Sequence, residues 1–359
     1  MRNEPGNHAV RRGSLTRRDC LRASAAAFAA AGTSSLLTAC GGGEGGAQGT
    51  SVTFLAALPL TTLTYAPDLL ADAGGYFADQ GLNVSFQSTR GTAQAIQLVL
   101  AGSAPLTRIG QIEAVSHVVN SDAPILNVAT VVRESTIRIV SSAAAPLREP
   151  RDFVGKVIGI PSEGGESETT LDLLLASAGV EPASIERQVV GVGPGVFNLV
   201  EQGRIAGFMV SIDTAKILER QMAGVVALRP GDFIESGAQL YMVARDDLPQ
   251  NREIVRKYLE AIAGALQFMI ADESFDETLA ILRRKYSFAT LEDSDVAKDS
   301  LREYVQAWTT EGRENLLRTV PESWSRGYEE LVRAGRVAAG KDPNGWFTNE
   351  LVPVSAAVP

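Results

Sequence analysis

The 359-residue sequence is poor in the side chains that carry most metal and nucleophilic chemistry, with two histidines and two cysteines. This scarcity argues against a disulfide framework, a zinc cluster and histidine-based catalysis. Basic residues are also in deficit: 33 Lys and Arg stand against 42 Asp and Glu, a formal net charge of −9. Because binding to phosphate backbones requires surplus cations, nucleic acid is not expected as a partner. The hydrophobic fraction of 45% predicts an ordinary globular core.

The amino terminus has the pattern of an export signal. Residues 1–39 carry a net charge of +4, and an apolar, alanine-rich stretch occupies 23–37. A basic region, an apolar region and then small residues predict a signal peptide over 1–39 rather than a membrane span. Arg17-Arg18 and the residues around it resemble a twin-arginine signal. Cys20 stands where that signal usually has Phe, so Sec export is the alternative.

The end of this segment, Leu37-Thr38-Ala39-Cys40, resembles a lipobox. The resemblance implies that the Cys40 thiol carries lipid and anchors an exported protein to the outer face of the cytoplasmic membrane or in the periplasm. A soluble secreted protein is the alternative. Residues 40–50 are rich in glycine and predict a flexible tether. After Cys40, no segment is long and apolar enough to span a membrane, and the net charge is −13.

Strand and helix patterns alternate along the following chain. The last third is helical and rich in charge. Such alternation predicts an α/β fold, with parallel sheets and helices on both of their faces. The predicted strands are 51–57, 83–87, 106–109, 125–132, 136–140, 156–160, 189–190, 205–210 and 240–244.

Several stretches then carry a family resemblance, in a consistent order. They are GYFADQGLNV at 75–84, a helix from Gly91 to Gly102, PRDFVGKVIG at 150–159, LLLASAGV at 173–180 and FTNE at 347–350. Together they resemble the SsuA/THI5-like (NMT1/THI5) family of solute-binding proteins for nitrate, sulfonates, taurine and thiamine precursors, over residues 51–350. Two segments depart from the family pattern, because 203–207 lacks the usual Asp and 104–110 reads APLTRIG.

The resemblance implies a type II periplasmic-binding-protein fold, in which two α/β lobes joined by a hinge close over a cleft. Lobe one is placed at 51–140 and 243–335, lobe two at 141–242, and a tail at 336–359, with the hinge near 140 and 242. The extra helical C-terminal segment is expected to pack on lobe one. The implied role is capture of a small organic or oxyanion solute by a monomer without cofactor, for delivery to an ABC permease and its ATPase.

Ligands of open α/β sheets lie beyond the carboxyl ends of the strands, which directs attention to the polar loops there. After the first strand, threonine hydroxyls can hydrogen-bond and an aromatic ring can stack on a flat ligand. After the second, a helix start and a guanidinium favour an anion. A glutamine follows the third. The lobe-one candidates are Thr61, Thr62, Tyr65, Arg90, Gly91, Thr92 and Gln111.

Lobe two offers a second set of candidates, Ser162, Glu163, Gly164, Glu166, Ser167, Ser211 and Asp213. Glu166 and Asp213 are equally explained as residues that stabilise helix starts. The carboxylates favour an amine or an aminopyrimidine, whereas Arg90 favours a sulfonate or nitrate, so both solute classes stay open. No metal site is expected.

Two other functions fit the sequence less well. A solute-sensing lipoprotein without a transport role has the same features. An enzyme of pyrimidine biosynthesis, as in fungal members of the resembled family, would use His and Cys residues. Here His117 is the one histidine after the signal peptide and lies in an apolar helical pattern, so an enzyme is not expected.

Overall fold

The computed structural model describes residues 49–57, 59–163 and 165–354. The predicted signal peptide, Cys40 and nearly all of the predicted tether lie outside these residues, as does the candidate ligand residue Gly164. Within the described ranges, no helix combines the length and the apolar composition needed to cross a membrane.

Ten strands and twelve α-helices follow one another in the described part of the chain. The strands are β1 Thr50–Ala56, β2 Leu82–Ser88, β3 Leu106–Gly110, β4 Ile125–Val132, β5 Ile137–Ser142, β6 Val157–Ile160, β7 Glu186–Val189, β8 Gly207–Ser211, β9 Val225–Leu228 and β10 Gln239–Ala244. The helices are α1 Ala66–Ala73, α2 Tyr76–Asp79, α3 Thr92–Leu100, α4 Gln111–Ser121, α5 Glu166–Ser177, α6 Phe197–Glu201, α7 Ile212–Gln221, α8 Leu248–Ala271, α9 Asp276–Arg283, α10 Ala289–Glu292, α11 Ser294–Thr309 and α12 Pro321–Arg333.

The strands form two five-stranded mixed sheets, which confirms the predicted α/β class. The expectation of parallel sheets was wrong for β10 and β5, which pair antiparallel with their neighbours because the chain enters these strands from the other lobe. The first sheet has the order β2-β1-β3-β10-β4, and the second has the order β7-β6-β8-β5-β9. β4 of the first sheet and β6 and β8 of the second are runs of largely buried, mainly apolar residues, as expected for sheets covered on two faces. We call the part built on the first sheet lobe one and the part built on the second sheet lobe two.

The chain passes between the lobes earlier than predicted. Residues 137–140 belong to β5, which pairs with β8 and β9 in lobe two, rather than to lobe one. Residues 239–242 belong to β10, which pairs with β3 and β4 in lobe one, rather than to lobe two. The two crossovers are therefore 133–136 and 229–238, because these residues lie between strands of different sheets. β9 itself was not predicted.

The C-terminal helices divide between the lobes. α8 packs on α1 and α2, and its Tyr258 ring stacks on Phe54 of β1 with the ring centroids 5.5 Å apart. α11 instead contacts both lobes, since it lies against β4 and also against α7. The expectation that the helical segment packs on lobe one therefore fits α8, whereas α11 packs on both lobes.

Ion pairs fix α11 to lobe two. Glu303 of α11 pairs with Arg138 of β5 at 2.7 Å and also with Lys216 of α7. One face of α11 thus forms ion pairs with basic side chains of lobe two. Its buried apolar face, including Leu301 and Trp308, belongs to the core of lobe one. The helix bridges the two lobes beside their crossovers.

α12 holds the second crossover. The carboxylate of Glu330 accepts hydrogen bonds from the backbone N–H of Glu235 at 3.1 Å and of Ser236 at 2.8 Å, and from the Ser236 hydroxyl. The two crossovers also touch each other directly. A Cβ atom built on Gly237 would lie 2.3 Å from the backbone nitrogen of Ser135, so only glycine allows this approach.

Candidate ligand-binding cleft

The carboxyl ends of the parallel strands of the two lobes face each other, and the loops that follow them meet in pairs. The loop after β1 contacts the start of α7, which follows β8. The start of α4, which follows β3, lies beside the start of α5, which follows the loop after β6. The predicted ligand loops of lobe one and lobe two thus lie against each other in this structure.

Asp213 makes the first of these contacts. Its carboxylate accepts from the Thr62 hydroxyl at 2.8 Å and from the Leu63 backbone N–H at 2.7 Å, both in lobe one. Helix α7 is capped instead by Ser211, whose hydroxyl accepts from the Thr214 N–H at 3.3 Å. Asp213 therefore bridges the lobes and does not act as the helix cap.

Burial shapes the chemistry of this bridge. Asp213 is 3% exposed, and burial raises the pKa of its carboxyl, while the hydrogen bonds from Leu63 and Thr62 oppose that rise. The phenol of Tyr304, on α11, lies against Asp213, Thr62 and Thr64. The bridge thus joins lobe one, lobe two and α11 at one buried polar point.

Glu166 makes the second contact. It is the first residue of α5, and its carboxylate reaches lobe one beside Gly110, where Glu113 of α4 also points. Burial raises the pKa of Glu166 to about 7, although Arg108 opposes the rise. Burial and the neighbouring Glu166 raise the pKa of Glu113 well above its ordinary value. Two acidic groups therefore meet across the cleft.

A buried network lies behind these contacts in lobe one. Asp68 of α1 accepts from the guanidinium of Arg108 at 3.1 Å and from the hydroxyls of Tyr241 at 2.8 Å and Tyr258 at 2.7 Å. Arg108 also donates to Gln239 Oε1 at 2.6 Å. Arg108 and Asp68 are almost fully buried, and the partners of the Arg108 cation all belong to lobe one.

Tyr65 is drawn into the same network. It is 3% exposed, the guanidinium of Arg108 lies 4.9 Å from its ring centroid, and Phe54 meets it edge-on at 6.5 Å. Its ring thus contacts protein groups, and the prediction that it stacks on a flat ligand stays a prediction. Gln111 is also buried, and its side-chain nitrogen lies 3.5 Å from the backbone oxygen of Trp324 on α12.

The remaining candidates lie in more exposed positions, and their ligand roles stay predictions. Arg90 is exposed, and its backbone N–H donates to Gln94 Oε1 at 2.7 Å. Gly91, with φ +129°, precedes Thr92 at the start of α3. The others are exposed or half-buried around the mouths of the loops: Thr61, Ser162, Glu163 and Ser167.

A cavity of about 310 Å³ lies next to the crossovers rather than among the loops. Its walls include Arg133 and Ala238 from the two crossovers, Trp324 from α12, and Gln111. In the described ranges, no group of three or more His, Cys, Asp and Glu residues is placed to hold a metal ion.

Sequence reasoning missed Asp68, Arg108 and Glu113. The one signal for Arg108 was its position inside an apolar strand, where an unpaired cation would be costly. Asp68 read as an ordinary acidic residue in the first turn of a helix.

Comparison with known proteins places these features in context. A sequence model described as "NMT1/THI5 like" matches residues 63–274. The riboflavin-binding protein RibY of Chloroflexus aurantiacus is 27% identical over 302 residues, covering 82% of this chain and 84% of RibY. A formylaminopyrimidine-binding protein of Halalkalibacterium halodurans is 23% identical over 218 residues, covering 59% of this chain and 64% of that protein.

Solved structures show the same architecture. The alkanesulfonate-binding protein SsuA of Xanthomonas axonopodis pv. citri, bound to MOPS, superposes with a TM-score of 0.62 at 12% identity. The match covers 84% of this chain and 98% of SsuA. The predicted two-lobed periplasmic-binding-protein fold with a helical C-terminal segment is thereby confirmed.

Proposed function

The chain belongs to the NMT1/THI5-like family, and we propose from this that it captures a small solute outside the cytoplasm and delivers it to an ABC importer. The lobes close over the solute, and the closed form docks on the permease. Export through residues 1–39 and lipid attachment at Cys40 are part of the proposal, since a tethered receptor stays near its permease.

The observation that carries this proposal is the pairing of loops across the cleft. Asp213 of lobe two is bonded to Thr62 and Leu63 of lobe one, and Glu166 of lobe two lies beside Gly110 of lobe one. Every one of these groups follows the carboxyl end of a strand, the place where open α/β sheets bind ligands. Such contacts stabilise a closed form and are lost when the lobes part.

The charges of the cleft support a neutral, hydrogen-bonding heterocycle as the solute. Glu113, Glu166 and Asp213 present acceptors at the lobe contacts, whereas Arg108 is held by Asp68 and Gln239. An oxyanion bound at these contacts would be repelled by the carboxylates. Arg108 would not compensate this repulsion, because its guanidinium is already paired with Asp68. RibY and the formylaminopyrimidine-binding protein, both named for heterocyclic ligands, support the same class.

A thermal-shift screen of the purified full-length chain tests the solute class. Its panel holds riboflavin, an aminopyrimidine, an alkanesulfonate and nitrate. A ligand at a hundredfold above its Kd stabilises the folded state by about 2.7 kcal/mol, which gives a clear rise in Tm. We expect a heterocycle to raise Tm. A rise with the sulfonate or nitrate alone would contradict the proposed class.

The variant Asp213→Ala tests whether the loop contacts hold the closed form. Losing a hydrogen bond to a charged group costs about 1.5–3 kcal/mol, so the Kd of the solute found in the screen should rise about tenfold or more. Asp246→Asn is the control, because Asp246 is exposed and follows the carboxyl end of β10, which lies at the edge of the sheet away from the cleft. Equal affinities of the two variants would argue against closure through Asp213.

The sensing alternative is separated from transport in the native cell. Deleting the gene should abolish uptake of the labelled solute if the protein delivers it to an importer. Unchanged uptake with an altered transcriptional response would support sensing instead.

A further inference from the structure

Two carboxylates from opposite lobes converge beside Gly110. A Cβ atom built on Gly110 would lie 2.7 Å from Glu113 Oε2 and 2.9 Å from Glu166 Oε1. The two oxygens are therefore within about 5.6 Å of each other. Glu113 belongs to α4 of lobe one and Glu166 to α5 of lobe two, so this proximity exists only while the lobes are together. The missing side chain of Gly110 provides the space that they share.

The groups packed around the pair do not neutralise it. Arg108 of β3 attracts Glu166, but its guanidinium is already bound to Asp68 and Gln239. His117, one turn along α4, is half-buried, and burial lowers its pKa, which keeps the imidazole neutral near pH 7. Several charged side chains of α5 and α12 have partners of their own: Glu168 and Asp172 pair with Arg187, Arg326 pairs with Glu235, and Glu330 binds the Ser236 backbone.

One carboxylate oxygen of the pair is buried without a hydrogen-bond partner, although Glu113 as a residue is half-buried. Glu113 Oε2 is shielded from solvent and accepts no hydrogen bond from the described residues. An ionised carboxylate in that position is unfavourable, and a second one nearby makes it more so. Protonation of one of the two groups removes its own desolvation penalty and the repulsion between them.

We propose that closure of the lobes traps a proton at Glu113 and Glu166, so that acid favours the closed form and a rise in pH opens it. The inference rests on the proposed function for its biological meaning, because the closed form is the one that holds solute. The structure thereby assigns the Glu113–Glu166 pair as a proton-linked latch.

The direction follows from linkage. When the lobes part, both carboxyl groups return to water and to their ordinary pKa near 4.5. In the closed form the pKa of Glu166 is about 7. The stabilisation of the closed form is then fully present below the open-state pKa and is lost as the pH rises through about 7. Each pH unit within this window changes the closed-to-open ratio by up to about tenfold.

Small-angle scattering of the ligand-free full-length chain tests the latch directly. We expect a smaller radius of gyration at about pH 5.5 than at about pH 8.5, because protonation favours closure. Glu166→Gln replaces the ionisable group with a neutral amide of the same shape, so its radius should change less with pH than that of the wild type. Glu113→Gln is an independent second variant with the same expected outcome, and the radius of the double variant, which has neither carboxyl group, should not change with pH.

Glu201→Gln is the matched control, since Glu201 is exposed on α6 and its variant should keep the wild-type pH response. Circular dichroism of each variant establishes that it is folded. A wild-type radius that does not change with pH, or a Glu166→Gln variant that responds like wild type, would overturn the latch.

Binding of riboflavin as a probe gives a second readout. Riboflavin is uncharged across this pH range, so its Kd for the wild type should rise at least about tenfold between the two pH values. The Kd for Glu166→Gln should change less over the same pH range. Affinity that instead rises with pH would overturn the proposal. It would indicate that a cationic group, and not a proton, compensates the two carboxylates in the closed form. If riboflavin does not bind, the scattering result alone decides on the latch, and the solute class is decided separately by the thermal-shift screen.

Discussion

Replacing Asp68 with alanine removes the anion from the most enclosed polar network of lobe one. Asp68 and Arg108 have side-chain exposures of 0% and 1%, and Asp68 also accepts from the hydroxyls of Tyr241 and Tyr258. Removing one partner of a buried ion pair leaves an uncompensated charge and costs about 3–5 kcal/mol. We therefore expect Asp68→Ala to lower the free energy of unfolding by about that amount.

Urea denaturation followed by tryptophan fluorescence at neutral pH measures this loss. Asp79→Ala is the matched control, because Asp79 is exposed on α2 and its replacement should change stability by no more than about 0.5 kcal/mol. Adding Arg108→Met to Asp68→Ala removes the orphaned cation, so the double variant should be more stable than Asp68→Ala alone. A loss below about 1 kcal/mol for Asp68→Ala would refute the reasoning, since the network would then contribute little to the stability of lobe one.

Two further predictions concern the crossovers. Gly237→Ala would place a Cβ atom 2.3 Å from the Ser135 nitrogen, so we expect the free energy of unfolding measured by denaturation to fall by about 1–3 kcal/mol. Gly345→Ala is the control, because no atom lies within 4 Å of its Cβ and its stability should not change. Glu330→Ala leaves the buried backbone N–H of Ser236 without its acceptor and should cost about 1–3 kcal/mol, measured in the same way. Glu330→Gln should lose less, because its amide oxygen can still accept. Equal losses for the two Glu330 variants would show that the charge, and not the acceptor, matters.

Most of the fold could be predicted from the sequence because many of its strands are short apolar runs and several helices, including α3, α5 and α6, end beside glycines. Thus β4 was predicted at the bounds that the structure shows, and β1 within one residue. β9 was missed because it has four residues, three of them half-buried, and carries no alternating pattern. The lobe boundaries were misplaced because nothing local in residues 137–140 shows which sheet they join.

The cleft was harder to predict, since its groups act in pairs that are distant in sequence. Asp213 was identified as a candidate, but its partners Thr62 and Leu63 lie about 150 positions earlier in the chain. Arg108 looked like an isolated charge until the fold brought Asp68 to it across 40 positions. Composition and spacing indicate which residues are polar. They do not show which polar residues satisfy one another.

The position of β10 has a consequence for synthesis. In the first sheet β10 lies between β3 and β4, yet its residues, 239–244, are made after all of the second sheet. During synthesis, all five strands of the lobe-two sheet are therefore available before β10, the strand that joins β4 to the rest of the lobe-one sheet. We expect lobe two to fold first. The sheet of lobe one stays incomplete, with unpaired edges on β3 and β4, until residue 244 has been synthesised.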